Sequence, residues 1–308
     1  MTRRIRTYAD VRSAGGGDIV AQVEAQAARL HRRLESIAHV VVVASGKGGV
    51  GKSLITANLA AALARRGARV AVADADLNGP SAALMLGAER GPLTVTDDGV
   101  HPASTAAGCA VMSMDLLLAT ADTPLRWREP ADAGFVWQST LETGALREFL
   151  ADTVWGELDY LLVDLPPGTD RLARMLGLVP RPAALLLVTI PSAAAGAVVA
   201  RSVTHARLAG IDDVALVSNM DGYACPGCGE ATPLFDAGAG AALAQRMAVP
   251  LWATVPFDPR LGGATDAGLP LVLSDPGAPA ARAFETLADA LERHASVGQR
   301  RTPTPAAS

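Results

Sequence analysis

Short apolar runs alternate with longer helix-like segments along most of the chain. The runs are rich in Val, Leu, Ile and Ala without regular polar positions, as is typical of strands buried on both faces of a parallel sheet. The predicted strands are 40–44, 69–74, 160–164, 184–190, 214–218 and 251–255. The predicted helices are 53–65, 144–151, 197–209, 239–247 and 280–294. This alternation predicts an α/β fold, with a doubly wound, mostly parallel sheet and helices on both faces.

The two ends of the chain and one internal segment depart from this pattern. Apolar residues recur at helical spacing from Ile19 to Ile37, which predicts an amphipathic helix that leads into the core. Segment 91–132 is punctuated by Gly and Pro and is left unassigned. We therefore expect an N-terminal tail with its helix at 1–38, one core domain at 39–297 and a disordered tail at 298–308.

The composition narrows the class of protein. The chain has 308 residues, half of them apolar, and a formal net charge of -4, so it can bury a large core but has no overall basic field for nucleic acid or anionic lipid. The basic residues 1–8 are not followed by the apolar run of a secretory signal, and the longest apolar stretch, 183–200, is broken by Pro191 and Gly196. Three cysteines suit a reducing compartment. We expect a cytoplasmic protein with no membrane and no nucleic-acid partner.

A glycine-rich loop separates the first core strand from the helix that follows. It fits G-x-x-x-x-G-K-S/T and consists of Gly46, Lys47, Gly48, Gly49, Val50, Gly51, Lys52 and Ser53. Such glycines let backbone N–H groups converge on phosphate oxygens, and the helix adds its positive N-terminal end. Lys52 is expected to reach the β- and γ-phosphates and Ser53 to ligate Mg²⁺. A plain Gly-rich turn with a surface lysine is the alternative, which the flanking strand and helix disfavour.

Acidic residues close two of the predicted strands, where a Mg²⁺-nucleotide site needs carboxylates. Asp164 ends one apolar run, and Asp74 and Asp76 end another. If that strand persists through Asp76, both acids face the same side. We then expect Asp74 and Asp164 to hold Mg²⁺ and Asp76 to be a catalytic residue that orients the attacking water. Taken singly, each acid could instead cap a helix or form a turn.

Asn219 directly follows the predicted strand 214–218. Its amide offers the donor and acceptor that pairing with adenine requires. Guanine-binding proteins typically carry Asn-Lys-x-Asp here, whereas residues 219–222 are Asn-Met-Asp-Gly, so ATP is favoured over GTP. A turn-forming Asn is the alternative.

Cys225 and Cys228 form a C-x-x-C pair around Pro and Gly, which suits a shared metal or cluster. Alone the pair could also be a redox couple or half of a zinc site. Two copies of the chain would together supply four thiolates, enough for one 4Fe-4S cluster on a twofold axis. Cys109 lies in an apolar run and is predicted to be a buried core thiol.

Several motifs together make the chain resemble the Mrp/ApbC family of P-loop ATPases, a deviant Walker A group that acts as iron-sulfur cluster carriers. The resemblance spans about 37–273 and rests on residues 45–53, 74–76, 79–81, 155–160, 164–169, 219–220, 225–228, 256–259 and 266–268. It implies ATP binding with slow hydrolysis, a labile cluster at a homodimer interface, and transfer to apo iron-sulfur proteins. It also implies that Lys47 is a catalytic residue that reaches across the dimer to the partner's nucleotide, as an arginine finger would.

Two departures from the family pattern bear on turnover. Leu54 replaces the usual Thr after the P-loop Ser, and Thr169 is followed by Asp170 where Gly-Asp is common. These changes predict weakened hydrolysis.

Two other functions stay open from the sequence. One is a positioning switch similar to MinD and ParA, in which ATP-driven dimerisation regulates binding to a membrane or to DNA. The other is a dimeric ATPase clamped by zinc at the Cys pair.

Overall fold

The computed structural model describes residues 18–77, 79–117, 135–179, 182–234 and 238–299. Its strands are β1 Ile37–Ser45, β2 Val70–Asp74, β3 Ala103–Ser104, β4 Ala110–Ser113, β5 Leu158–Asp164, β6 Ala184–Thr189, β7 Val214–Ala224, β8 Ala231–Thr232 and β9 Leu251–Phe257. Its α-helices are α1 Asp18–Glu35, α2 Lys52–Arg65, α3 Ala82–Met85, α4 Phe135–Asp152, α5 Thr169–Leu176, α6 Ala193–Leu208, α7 Ala239–Met247, α8 Arg260–Asp266, α9 Leu271–Ser274 and α10 Pro279–Gln299. A 3₁₀ turn covers Met114–Leu117.

The strands that the structure describes form one sheet, in the order β3-β4-β2-β5-β1-β6-β7, with β8 and β9 both paired to β7. All neighbours are parallel except β3 on β4 and β8 on β7. β1 lies in the middle, between β5 and β6. In such sheets ligands bind at the carboxyl ends of the strands, beside the point where the strand order reverses. The loop after β1 opens at this point.

Two apolar layers cover the two faces of the sheet. Alternate residues of β1 point to opposite layers, Val41 and Val43 into one and Val42 and Ala44 into the other. The first layer is filled by α2 and α10, where Phe284 is fully buried. The second is filled mainly by α4, α5 and α6, and α1 joins it through Leu30. The predicted doubly wound α/β fold is confirmed.

The predicted core strands and helices are present, and the differences lie at their ends. The N-terminal helix stops at Glu35, and Ile37 opens β1 instead because it pairs with Leu158 at the start of β5. β7 continues beyond Ser218 to Ala224 as one arm of a hairpin with β8. Within segment 91–132, β3 and β4 add an edge to the sheet, while 118–132 lies outside the described residues.

The predicted C-terminal tail at 298–308 also lies mostly outside the described residues, with α10 running to Gln299. Among the described residues, no helix combines the length and the apolar character needed to cross a membrane.

Candidate functional site

The glycine-rich loop joins β1 to α2 and exposes Lys47, Gly48 and Gly49. Gly51, the residue before α2, has φ 83° and provides no side-chain cap, so the first N–H groups of the helix are left for another acceptor. Gly49 also has a positive φ, 77°. Free donors and the positive end of a helix dipole are the features that favour an anion at a helix N-terminus.

Close packing explains why two positions of the loop are occupied by glycine. A Cβ on Gly46 would lie 2.1 Å from Val198 Cγ1, and one on Gly51 would lie 2.3 Å from Asn219 Nδ2. Both distances are far inside van der Waals contact. Any larger residue would therefore push the loop away from α6 or from β7.

The P-loop lysine and serine both contact Asp164, which ends β5. Lys52 Nζ lies 2.7 Å from Asp164 Oδ1, and Ser53 Oγ donates to Oδ2 at 2.6 Å. Thr56, one turn further along α2, donates to Oδ1 at 2.9 Å. The Lys52 and Asp164 side chains are 6% and 0% exposed, so each depends on the other for charge compensation.

Asp74 lies beside Asp164 because β2 and β5 pair in register there. It is buried, and its Oδ2 accepts hydrogen bonds from the backbone N–H groups of Ser81 and Ala82, at 2.9 and 3.0 Å, and from Ser113 Oγ at 3.1 Å. Burial, followed by the negative charge of Asp164, raises the pKa of Asp74 to about 7. The structure therefore brings two carboxylates together at the mouth of the P-loop.

Asp76 does not continue the strand, which ends at Asp74 as predicted, so the condition under which Asp74 and Asp76 would face the same side is not met. β2 ends at Asp74, whose Oδ1 accepts from Asp76 N–H at 3.3 Å and draws the chain into a turn. Asp76 Oδ1 in turn accepts from Gly79 N–H at 3.3 Å. The half-buried Asp76 stays at the site through this loop, and its catalytic role stays a prediction.

Asn219 is buried against the P-loop rather than open to solvent. Its Nδ2 donates to the carbonyl oxygen of Val50 at 2.8 Å. The next residue, Met220, has φ 55°, and the register between β7 and β9 shifts after Asn219. The contact couples β7 to the phosphate loop, and pairing with adenine stays a prediction.

The cysteine pair lies in the turn of the β7–β8 hairpin. Cys225 N–H donates to Glu230 O at 2.9 Å and Gly229 N–H to Cys225 O at 2.8 Å, which closes the turn. Both thiols are free; Cys225 is partly exposed and Cys228 exposed. The backbone N–H groups of Cys228 and Gly227 and the Cys228 side chain lower the pKa of Cys225, which favours the thiolate that binds metals.

The chain by itself offers only part of a ligand set at this turn. Among the residues that the structure describes, no group of three or more His, Cys, Asp or Glu side chains is arranged to hold a metal ion. Cys109 is buried in the core, as predicted, and burial raises its thiol pKa.

Two polar residues of the site were not predicted. Thr56 lies three residues after Ser53 on α2, and this spacing places both side chains on the same face of the helix. The spacing is the signal that could have identified Thr56. Ser113 ends β4, a strand that was not predicted, so its hydroxyl on Asp74 could not have been found from the pattern.

Comparison with known proteins places the chain in a family. The family model described as ParA, NUBPL iron-transfer P-loop NTPase, matches residues 36–292. The iron-sulfur cluster carrier protein of Saccharolobus solfataricus is 38% identical over 87% of this chain and 88% of its own length. The human cytosolic Fe-S cluster assembly factor NUBP2 is 38% identical over 83% of this chain and 92% of its own.

Solved structures agree with this assignment. A nucleotide-binding protein from Archaeoglobus fulgidus in complex with ADP has a TM-score of 0.66 and 36% identity, and covers 79% of this chain and 91% of its own. The cell division ATPase MinD of Pyrococcus furiosus has a TM-score of 0.58 and 25% identity, over 83% of this chain and 98% of its own. The chain therefore belongs to the ParA/NUBPL family of iron-transfer P-loop NTPases.

Proposed function

We propose that this protein is an ATP-dependent carrier that binds a labile 4Fe-4S cluster between two copies of the chain and transfers it to apo iron-sulfur proteins in the cytoplasm. The observation that carries the proposal is the placement of Cys225 and Cys228 on an exposed hairpin turn of the strand that also contacts the P-loop. We assign the ATPase domain to 39–297, with the cysteine turn at 225–228 as an insertion in it.

Residues of the P-loop support the nucleotide half of this function. The free N–H groups at the start of α2 suit phosphate oxygens, and Lys52 can exchange Asp164 for the β- and γ-phosphates. The buried Lys52 is paired with Asp164, so a triphosphate would replace one anionic partner with another. Lys52 would then keep an anionic partner, and Asp164 would become free to hold the waters of Mg²⁺.

The donor set fits Mg²⁺. Ser53, Asp74 and Asp164 offer a hydroxyl and two carboxylates, the hard oxygen ligands that Mg²⁺ prefers. When bound, the ion would neutralise charge on the phosphates. Asp164 and Asp74 would hold its waters, and Asp76 would accept a hydrogen bond from the attacking water.

Lys47 supports a dimeric enzyme. It is exposed at the tip of the loop, whereas Lys52 is buried. An exposed lysine beside the phosphates is free to reach the nucleotide of a partner and stabilise the charge of the transferring phosphoryl group. Leu54 brings no hydroxyl to the loop and packs against the core, which supports slow hydrolysis.

Iron content of the purified protein tests the proposal. After anaerobic purification and reconstitution, we expect about four iron atoms per two chains and visible cluster absorbance. Cys225→Ser and Cys228→Ser should each remove most of the iron. Cys109→Ala is the control, because it also removes one thiol but at a buried position away from the cysteine turn, and it should keep the iron. Iron that survives the loss of both Cys225 and Cys228 would refute the assignment.

The same samples separate the two other functions. Zinc in place of iron, with no visible absorbance, would favour the zinc-clamped dimer. Sedimentation with liposomes or DNA only in the presence of ATP would favour the positioning switch, which the MinD likeness makes worth testing.

A further inference from the structure

A stacked aromatic pair lies beside the cysteine turn. The ring centroids of Tyr223 and Phe257 are 6.4 Å apart, with 17° between their planes. Tyr223 pairs with Phe257 of β9 and with Thr232 of β8 in the sheet register. Phe257 is 44% exposed although it is a large apolar side chain, so its outer side has no cover within the described chain.

The aromatic pair and the thiols lie at the same end of β7. Tyr223 precedes Cys225 by two positions at the end of β7, and residues two apart in an extended strand place their side chains on the same face. Cys225 N–H still bonds to Glu230 O, so the hairpin geometry continues as far as the first thiol. On this alternation we expect the Cys225 side chain on the same face of the hairpin as the aromatic pair.

The backbone that carries Phe257 is held firmly. The next residue, Asp258, is buried and pairs with Arg260 at 2.8 Å, and Arg260 pairs with Asp275 at 2.8 Å. The exposed ring thus projects from a fixed strand end rather than from a loose loop. A fixed apolar ring is a suitable contact for a partner because little side-chain freedom is lost on binding.

We propose that Tyr223 and Phe257 form the apolar wall of the cluster site and pack against the same pair of a second copy of the chain. This inference rests on the proposed function. The two thiols of one chain complete four ligands only with those of a second copy, and a twofold arrangement then brings two aromatic pairs around the cluster. The wall keeps water and oxygen from the cluster sulfurs, because solvent access controls the stability and potential of such clusters.

Substitutions at Phe257 test the wall directly. In the reconstituted protein, Phe257→Ala should raise the rate at which cluster absorbance decays in air about fivefold or more, and should weaken the dimer about tenfold. Phe257→Leu, which keeps an apolar side chain, should restore most of both properties. Leu208→Ala is the matched control, since Leu208 is 81% exposed at the last position of α6 and should have no effect.

Each outcome separates the wall from the carrier function. If Phe257→Ala and Tyr223→Ala both keep the wild-type decay rate and dimer affinity while Cys225→Ser loses its iron, the wall is refuted and the carrier stands. If the serine variant keeps its iron, the carrier itself fails. ATP affinity of each variant, expected to be unchanged, verifies that the protein is folded. If Phe257→Ala does not fold, Tyr223→Ala tests the wall in its place.

Discussion

Substitution of Asp74 by Asn should remove part of the pH dependence of stability. The pKa of Asp74 is raised from 3.8 to about 7 because the carboxyl group is buried beside Asp164. A raised carboxyl pKa stabilises the fold below the unfolded pKa, and this contribution is lost as pH rises towards the folded pKa. Between about pH 5 and pH 7 the native protein keeps the proton that the unfolded chain has released. At about 1.4 kcal/mol per pH unit, the free energy of unfolding falls by roughly 3 kcal/mol over this range.

The amide of the Asp74→Asn variant cannot ionise, but its oxygen can still accept from the N–H groups of Ser81 and Ala82. The free energy of unfolding of the variant minus that of the wild type should therefore be about 3 kcal/mol more positive at pH 8 than at pH 5. The variant gains relative stability because only the wild type loses stability as pH rises. Urea unfolding followed by tryptophan fluorescence measures it, with Asp266→Asn, an exposed acid, as the control. A difference that is equal at both pH values, or larger at pH 5 than at pH 8, would refute the origin assigned to the pKa of Asp74.

Three further substitutions probe the loop and the core. Lys47→Ala should leave ATP affinity within about threefold while hydrolysis falls about a thousandfold, since the lysine acts on the transition state; a matching loss of affinity in a binding titration would contradict this. Gly51→Ala should lower the free energy of unfolding by about 1–3 kcal/mol and abolish ATP binding, because its φ is positive and its Cβ would collide with Asn219. The control is Gly67→Ala, because Gly67 also has a positive φ, 92°, but has open space around it, so this variant carries the backbone cost without a collision. Equal ATP binding by the Gly51→Ala and Gly67→Ala variants would rule out the collision. Phe284→Ala should cost about 3–5 kcal/mol in urea unfolding, and a loss below about 1 kcal/mol would mean that the layer against α2 is not close-packed.

The central strands could be predicted because a parallel sheet covered on both faces demands unbroken apolar runs. β1, β5 and β6 meet this demand, and their neighbours follow the same rule. The P-loop could be predicted because its glycines and lysine occur at fixed spacing between a strand and a helix. Both signals are local in the sequence.

Features that depend on distant pairing could not be predicted. β3 has two residues and β4 has four, so neither carries a periodic signal, and their place at the sheet edge comes from pairing with β2. The N–H groups that hold the Asp74 carboxylate come from residues seven and eight positions further on, which the strand pattern does not reveal. Likewise, the contact between Tyr223 and Phe257 could not be predicted from the residues around either one, because only the register of β7 and β9 brings the two rings together.

The mass of the intact, reconstituted protein under anaerobic, non-denaturing conditions tests the central claim most directly. We expect two chains with one 4Fe-4S cluster, and no such species for Cys228→Ser, whose remaining ligands are too few. A single chain that holds its own cluster, or a dimer that keeps its iron after both Cys225 and Cys228 are replaced, would contradict it.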